Sequence, residues 1–185
     1  KVGVSQCSED DWRAQLNAEL QREARFGGDV DVEVKSTADD SRQQIADIEE
    51  YVSEGVDLII VAPNVAQEIS PAIEHAYDAG IPVILIDRSI GSDKFTEFIG
   101  ANNYAIGKSI GEYVAAHSRG RDANIVELVG LFASSPAQER QQGFADAIAQ
   151  SENLHLLTFC PADWREELAE TKMDSLLRLY PHIDY

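Results

Sequence analysis

Gly80-Ile81-Pro82-Val83-Ile84-Leu85-Ile86-Asp87-Arg88 is the stretch from which the fold can be read. Glycine and proline punctuate its start, an unbroken apolar run follows, and a charged pair ends it abruptly. An apolar run without polar alternation suits a strand buried on both faces, as in a parallel sheet. Residues 66–79 before it carry apolar positions at helical spacing and stop at Gly80, where a left-handed helix cap is wanted. Helix followed closely by buried strand is half of a βαβ unit.

The same alternation recurs on both sides of this stretch. Upstream, residues 2–5, 30–34 and 58–61 read as strands, with helices at about 12–26 and 40–54 that close at Gly27-Gly28 and Gly55. Downstream, Asp87 to Asp93 is polar and 95–99 forms a strand with no helix before it, so the architecture turns a corner. A second series then begins: helix 103–117, strand 124–129, helix 136–150, strand 154–159 and helix 165–179. The expected fold is α/β with two Rossmann-like lobes, 1–101 and 102–185, joined near Gly100-Ala101-Asn102-Asn103. Ile183-Asp184-Tyr185 stands where another strand is due, and a sheet with few strands exposes an unpaired edge. The expectation is a truncated second lobe in a natural protein that continues.

Charge narrows the partners. The 185 residues hold 33 acidic against 15 basic side chains, a net charge of -18, which repels a phosphate backbone. No nucleic acid is expected to bind this segment. No apolar run approaches the roughly eighteen residues of a membrane span, so a membrane would be met only through regions outside the chain. The opening Lys1-Val2-Gly3-Val4 has no signal-peptide core and reads as a mature or trimmed terminus. Cys7 and Cys160 read as two separate buried thiols and leave the compartment undecided. The four histidines lack metal-ligand spacing, and no phosphate loop or nucleophile elbow occurs, so neither catalytic residue, metal nor cofactor is expected.

In open parallel sheets ligands bind outside the carboxyl ends of the strands, where the βα loops gather. Those loops hold both tryptophans, Trp12 and Trp164, together with Asp10, Asp87 and Arg88, and Arg140 follows in the first turns of a helix. Asp87 and Arg88 would bring an acceptor-only carboxylate beside a five-donor guanidinium, a pairing that suits sugar hydroxyls. An Asp–Arg pair that merely caps the strand is an equal reading. The indoles offer flat apolar faces to a sugar ring, or they simply cover helix starts. Arg140 sits where the helix dipole disfavours a cation, which a ligand or Glu139 would explain.

Gly55-Val56-Asp57-Leu58-Ile59-Ile60-Val61, Gly80 to Arg88, Ile99-Gly100-Ala101-Asn102-Asn103 and Pro136-Ala137-Gln138-Glu139-Arg140-Gln141-Gln142-Gly143-Phe144 together resemble the ribose-binding-protein type of periplasmic binding protein, type 1, whose core is shared with LacI-type repressors. The resemblance implies a non-enzymatic, periplasmic domain that closes at a hinge on a monosaccharide, held by Asp10, Trp12, Asp87, Arg88, Arg140 and Trp164. The first loop departs from the ribose type, because Ser8-Glu9-Asp10-Asp11-Trp12-Arg13 has no proline and a single aromatic. It looks more like the extracytoplasmic sensors of Bacteroides-type hybrid two-component systems, with a hexose such as fructose as ligand and a histidine kinase elsewhere in the protein. A homodimeric sensor is a further expectation. The alternatives are an ABC-transporter sugar-binding protein, a LacI-type repressor core and, from another class, a small flavodoxin-like enzyme.

Overall fold

The computed structural model describes residues 1–185, and the chain forms two compact units, Lys1–Ala101 and Asn102–Tyr185. In the first unit the order is β1 (Val2–Gln6), α1 (Asp11–Phe26), β2 (Val32–Ser36), α2 (Ser41–Glu54), β3 (Leu58–Val61), α3 (Ala66–Asp78), β4 (Val83–Ile86) and β5 (Glu97–Ile99). All pairings are parallel and the sheet order is β2-β1-β3-β4-β5. Chain progression reverses between β1 and β3, the switch point beside which α/β sheets hold ligands.

The strands form because their β-branched residues are wanted on both faces. Ile59, Val61, Val83 and Leu85 are fully buried against Ile48, Ile69 and Ile73 from α2 and α3. Each such side chain contributes about 1.5–3 kcal/mol on leaving water. Gly3 in β1 is required by contact, since a Cβ there would lie 2.6 Å from the ring of Tyr51. Gly55 ends α2 at φ 65, a left-handed conformation that glycine adopts without steric penalty. β2 starts two residues later than its sequence pattern suggests. Val30, Val32 and Val34 continue a single alternation that marks no first residue, and the ladder begins where Val2 pairs with Val32.

The second unit contains α4 (Asn103–Ser118), β6 (Ala123–Val129), α5 (Ser135–Ile148), β7 (Leu154–Pro161) and α6 (Glu166–Leu179). β6 and β7 pair in parallel with a register shift between Ile125 and Val126. The last residues also join β6: Asp184 N–H donates to the Asn124 carbonyl at 2.8 Å, and Val126 N–H donates to that of Tyr185 at 3.1 Å. Helices α4 and α5 cross closely, because a Cβ on Gly107 would fall 1.9 Å from the Arg140 carbonyl oxygen. Val114, Ile125, Phe144 and Ile148 pack beneath that crossing. No helix is long and apolar enough to cross a membrane.

Cys7 is buried and Cys160 half-buried, both as free thiols. Cys160 lies within β7 rather than after it, since pairing with β6 carries the strand on to Pro161.

Candidate functional site

In the first unit, the loops after β1, β3 and β4 converge through charged side chains. β4 ends in a three-residue turn: Arg88 N–H donates to the Ile86 carbonyl at 2.6 Å, while Asp87 N–H donates to Ile99 at 2.9 Å. Asp87 takes φ 64. For a residue with a Cβ that conformation costs about 1–2 kcal/mol, and such strain concentrates at ligand sites.

The Asp87 carboxylate accepts a hydrogen bond from Arg13 Nη2 at 2.6 Å. Arg88 is the more distant cation, with Nε 3.9 Å from Asp87 Oδ2 and Nη1 directed to the carbonyls of Pro63 and Asn64 at 3.4 and 3.3 Å. The adjacent Asp–Arg pair expected from the sequence is therefore loose, and the short bond goes to an arginine 74 residues away. Arg13 is only 3% exposed, yet its Nη1 has no partner within the chain. Ser5 Oγ, Gln6 Oε1 and Asn64 Oδ1 are likewise buried and unpaired. Leaving such a group without a hydrogen bond costs about 1–3 kcal/mol.

Asp10 caps α1, accepting from Arg13 N–H at 2.9 Å with one oxygen and from the Ser8 hydroxyl at 2.6 Å with the other. Burial acts to raise its pKa, and these hydrogen bonds outweigh burial to hold it below the ordinary carboxylate value. Because the cap falls at Asp10, Trp12 is the second residue of the helix and does not stand in a loop. Its indole is 57% exposed on one side of a stack, with the Arg13 guanidinium 4.6 Å from the ring centroid.

In the second unit, Arg140 on α5 donates from Nε to Asn103 Oδ1 at 2.8 Å and lies 5.7 Å from the Trp164 ring centroid. These two contacts, rather than Glu139, account for a cation so early in a helix. Trp164 occupies the β7–α6 loop at φ 60, after Asp163 at φ 52, and rests on Gly130, where a Cβ would fall 2.2 Å from the indole. Arg140 and Trp164 also border a cavity of about 340 Å³ walled by Ile110, Val114, Ile125 and Phe144. Glu127 on β6 lines it too, and one of its oxygens is buried without a partner. Burial pushes its carboxyl pKa up to about 7.

The structure thus groups Asp10, Trp12, Asp87 and Arg88 in one unit and Arg140 with Trp164 in the other. Sequence reasoning passed over Arg13, whose only signal was its place beside Trp12. Asn103 and Gly130 were also missed as supports of Arg140 and Trp164.

A model of the periplasmic binding protein domain matches residues 2–185. The galactofuranose-binding protein YtfQ of Escherichia coli K12 is 34% identical over 181 residues, 96% of this chain and 57% of that protein. The ribose import binding protein RbsB of Bacillus subtilis is 30% identical over 168 residues, 91% of this chain and 54% of its own length. Among solved structures, the fructose binding periplasmic domain of hybrid two component system BT1754 superposes with a TM-score of 0.94 at 49% identity, covering 99% of this chain and 61% of that one. The chain spans between half and two thirds of the length of these proteins.

Proposed function

This chain belongs to the periplasmic binding protein domain family, and from that membership we propose that it binds a monosaccharide as part of a periplasmic sensor in a hybrid two-component system. Its relatives are sugar-binding proteins and not enzymes. The proposed event is accordingly recognition, with no bond broken. The proposed contacts are Asp10, Trp12, Asp87 and Arg88 from the first unit and Arg140 and Trp164 from the second, with Arg13 added and residues 100–103 as the hinge.

The observation that carries this reading is the Arg13–Asp87–Arg88 cluster on a strained turn, in which the buried Arg13 keeps one terminal nitrogen without a partner. A sugar hydroxyl both donates and accepts, so a polyol can satisfy a guanidinium and a carboxylate together. Charge-assisted hydrogen bonds of this kind contribute about 1.5–3 kcal/mol each. The exposed faces of Trp12 and Trp164 suit the C–H side of a sugar ring.

The sensor role, and fructose as ligand, are supported by the 49% identity to the fructose-binding sensor domain. A transport role is the second reading, favoured by the galactofuranose-binding and ribose import relatives. Calorimetric titration with D-fructose tests the site. Asp87→Ala and Arg88→Ala should each weaken binding at least about tenfold, or 1.4 kcal/mol. Unchanged affinity in both variants would overturn the assignment.

A further inference from the structure

The Arg140 guanidinium is the one charged donor group of the second unit that the proposed function relies on, and a long side chain must be held still to recognise a ligand. An arginine carries about 2 kcal/mol of rotamer entropy, and any fraction left free before binding is subtracted from affinity. Only one hydrogen bond restrains it within the chain: Nε donates to Asn103 Oδ1 at 2.8 Å. Asn103 is 2% exposed and is the first residue of α4, directly after Asn102, whose own side chain caps that helix by accepting from Ala105 N–H at 2.9 Å. The backbones beneath are locked together, since Gly107 and Gly143 leave no room for a Cβ between α4 and α5. The separation of Asn103 from Arg140 is therefore set by a rigid helix pair.

We propose that Asn103 is a positioning residue that fixes Arg140 against Trp164 in its ligand-recognising orientation. The inference rests on the sugar-binding reading for its purpose, but its geometry stands apart from any ligand. Bonding at Nε holds the guanidinium edge nearest the stem and does not use the two terminal nitrogens. The planar group then lies over the indole, whose ring in turn sits on Gly130. Asn103 is the second residue of the second unit, next to the Ala101/Asn102 boundary.

Trp164 reports on this directly. In the 185-residue chain carrying Trp12→Phe it is the sole tryptophan, and acrylamide quenching of its emission measures how well Arg140 covers it. Asn103→Ala should raise the quenching constant as far as Arg140→Ala does, and the double variant should go no further, because the two act as one unit. Asn103→Asp keeps the acceptor oxygen and should restore the low value. Additive effects of the two alanine variants, or an Asn103→Ala chain that quenches like its parent, would overturn the proposal. Circular dichroism of each variant separates loss of positioning from loss of fold, and Asn103→Asp supplies the same comparison if Asn103→Ala does not fold. The expected quenching pattern, combined with no affinity for D-fructose or other monosaccharides in the protein that keeps Trp12, would instead count against the sugar-binding reading alone.

Discussion

Arg13 Nη2 lies 2.6 Å from Asp87 Oδ2, joining the first turn of α1 to the residue after β4. The bond couples a buried cation to a carboxylate held at φ 64. It brings the loops after β1 and β4 together on either side of β3 at the carboxyl edge of the sheet, while Arg88 reaches the loop after β3.

Replacing Asp87 separates the strain from the bond. Asp87→Gly and Asp87→Ala both remove the acceptor for Arg13, but only alanine retains a Cβ at a left-handed position. Glycine should be the more stable of the two by about 1 kcal/mol, which corresponds to roughly 2–4 °C in melting temperature for a chain of this size. Thermal unfolding followed by circular dichroism measures the gap. Equal melting temperatures would mean that the turn relaxes when the aspartate is lost.

The fate of this pair shows where sequence reading succeeds and stops. Strands such as Val83–Ile86 were legible because burial on both faces demands an apolar run that glycine and proline delimit. The start of β2 was not, because the alternating valines mark no first residue and only pairing with β1 sets it. The positions of Asp87 and Trp164 were legible as residues that follow a strand. The partnership of Arg13 with Asp87 was not, because nothing local to Trp12-Arg13 encodes a neighbour 74 residues on. Asn103 and Gly130 were hidden for the same reason: their roles are contacts with side chains from other elements.

Gly143 should tolerate no side chain. A Cβ there would lie 2.1 Å from the Tyr104 carbonyl oxygen, which is backbone and cannot swing aside. Gly143→Ala must push α4 and α5 apart, at a cost of about 1–3 kcal/mol typical of overpacking. Urea unfolding should show a lower midpoint with little change in slope. A midpoint equal to that of the parent would show that the helix crossing is looser than described.

Glu127 makes stability depend on pH. Its carboxyl pKa is raised by burial from 4.5 to about 7, so the folded chain holds this proton more tightly than the unfolded one. The resulting stabilisation is complete below pH 4.5 and is lost as pH rises through about 7. Glu127→Gln should therefore match the parent only well below pH 4.5, begin to exceed it between pH 4.5 and 7, and exceed it most at pH 8 in denaturant unfolding. The reverse order would place the charge in water rather than in the cavity.

Recognition of a monosaccharide is measured by calorimetric titration of the protein that carries these residues against D-fructose, D-ribose, D-galactose and D-glucose. The expected result is one saturable sugar with one-to-one stoichiometry, whose heat of binding disappears in Arg13→Ala. Absence of binding heat at several temperatures for every sugar, from a protein whose melting temperature none of them shifts, would contradict it.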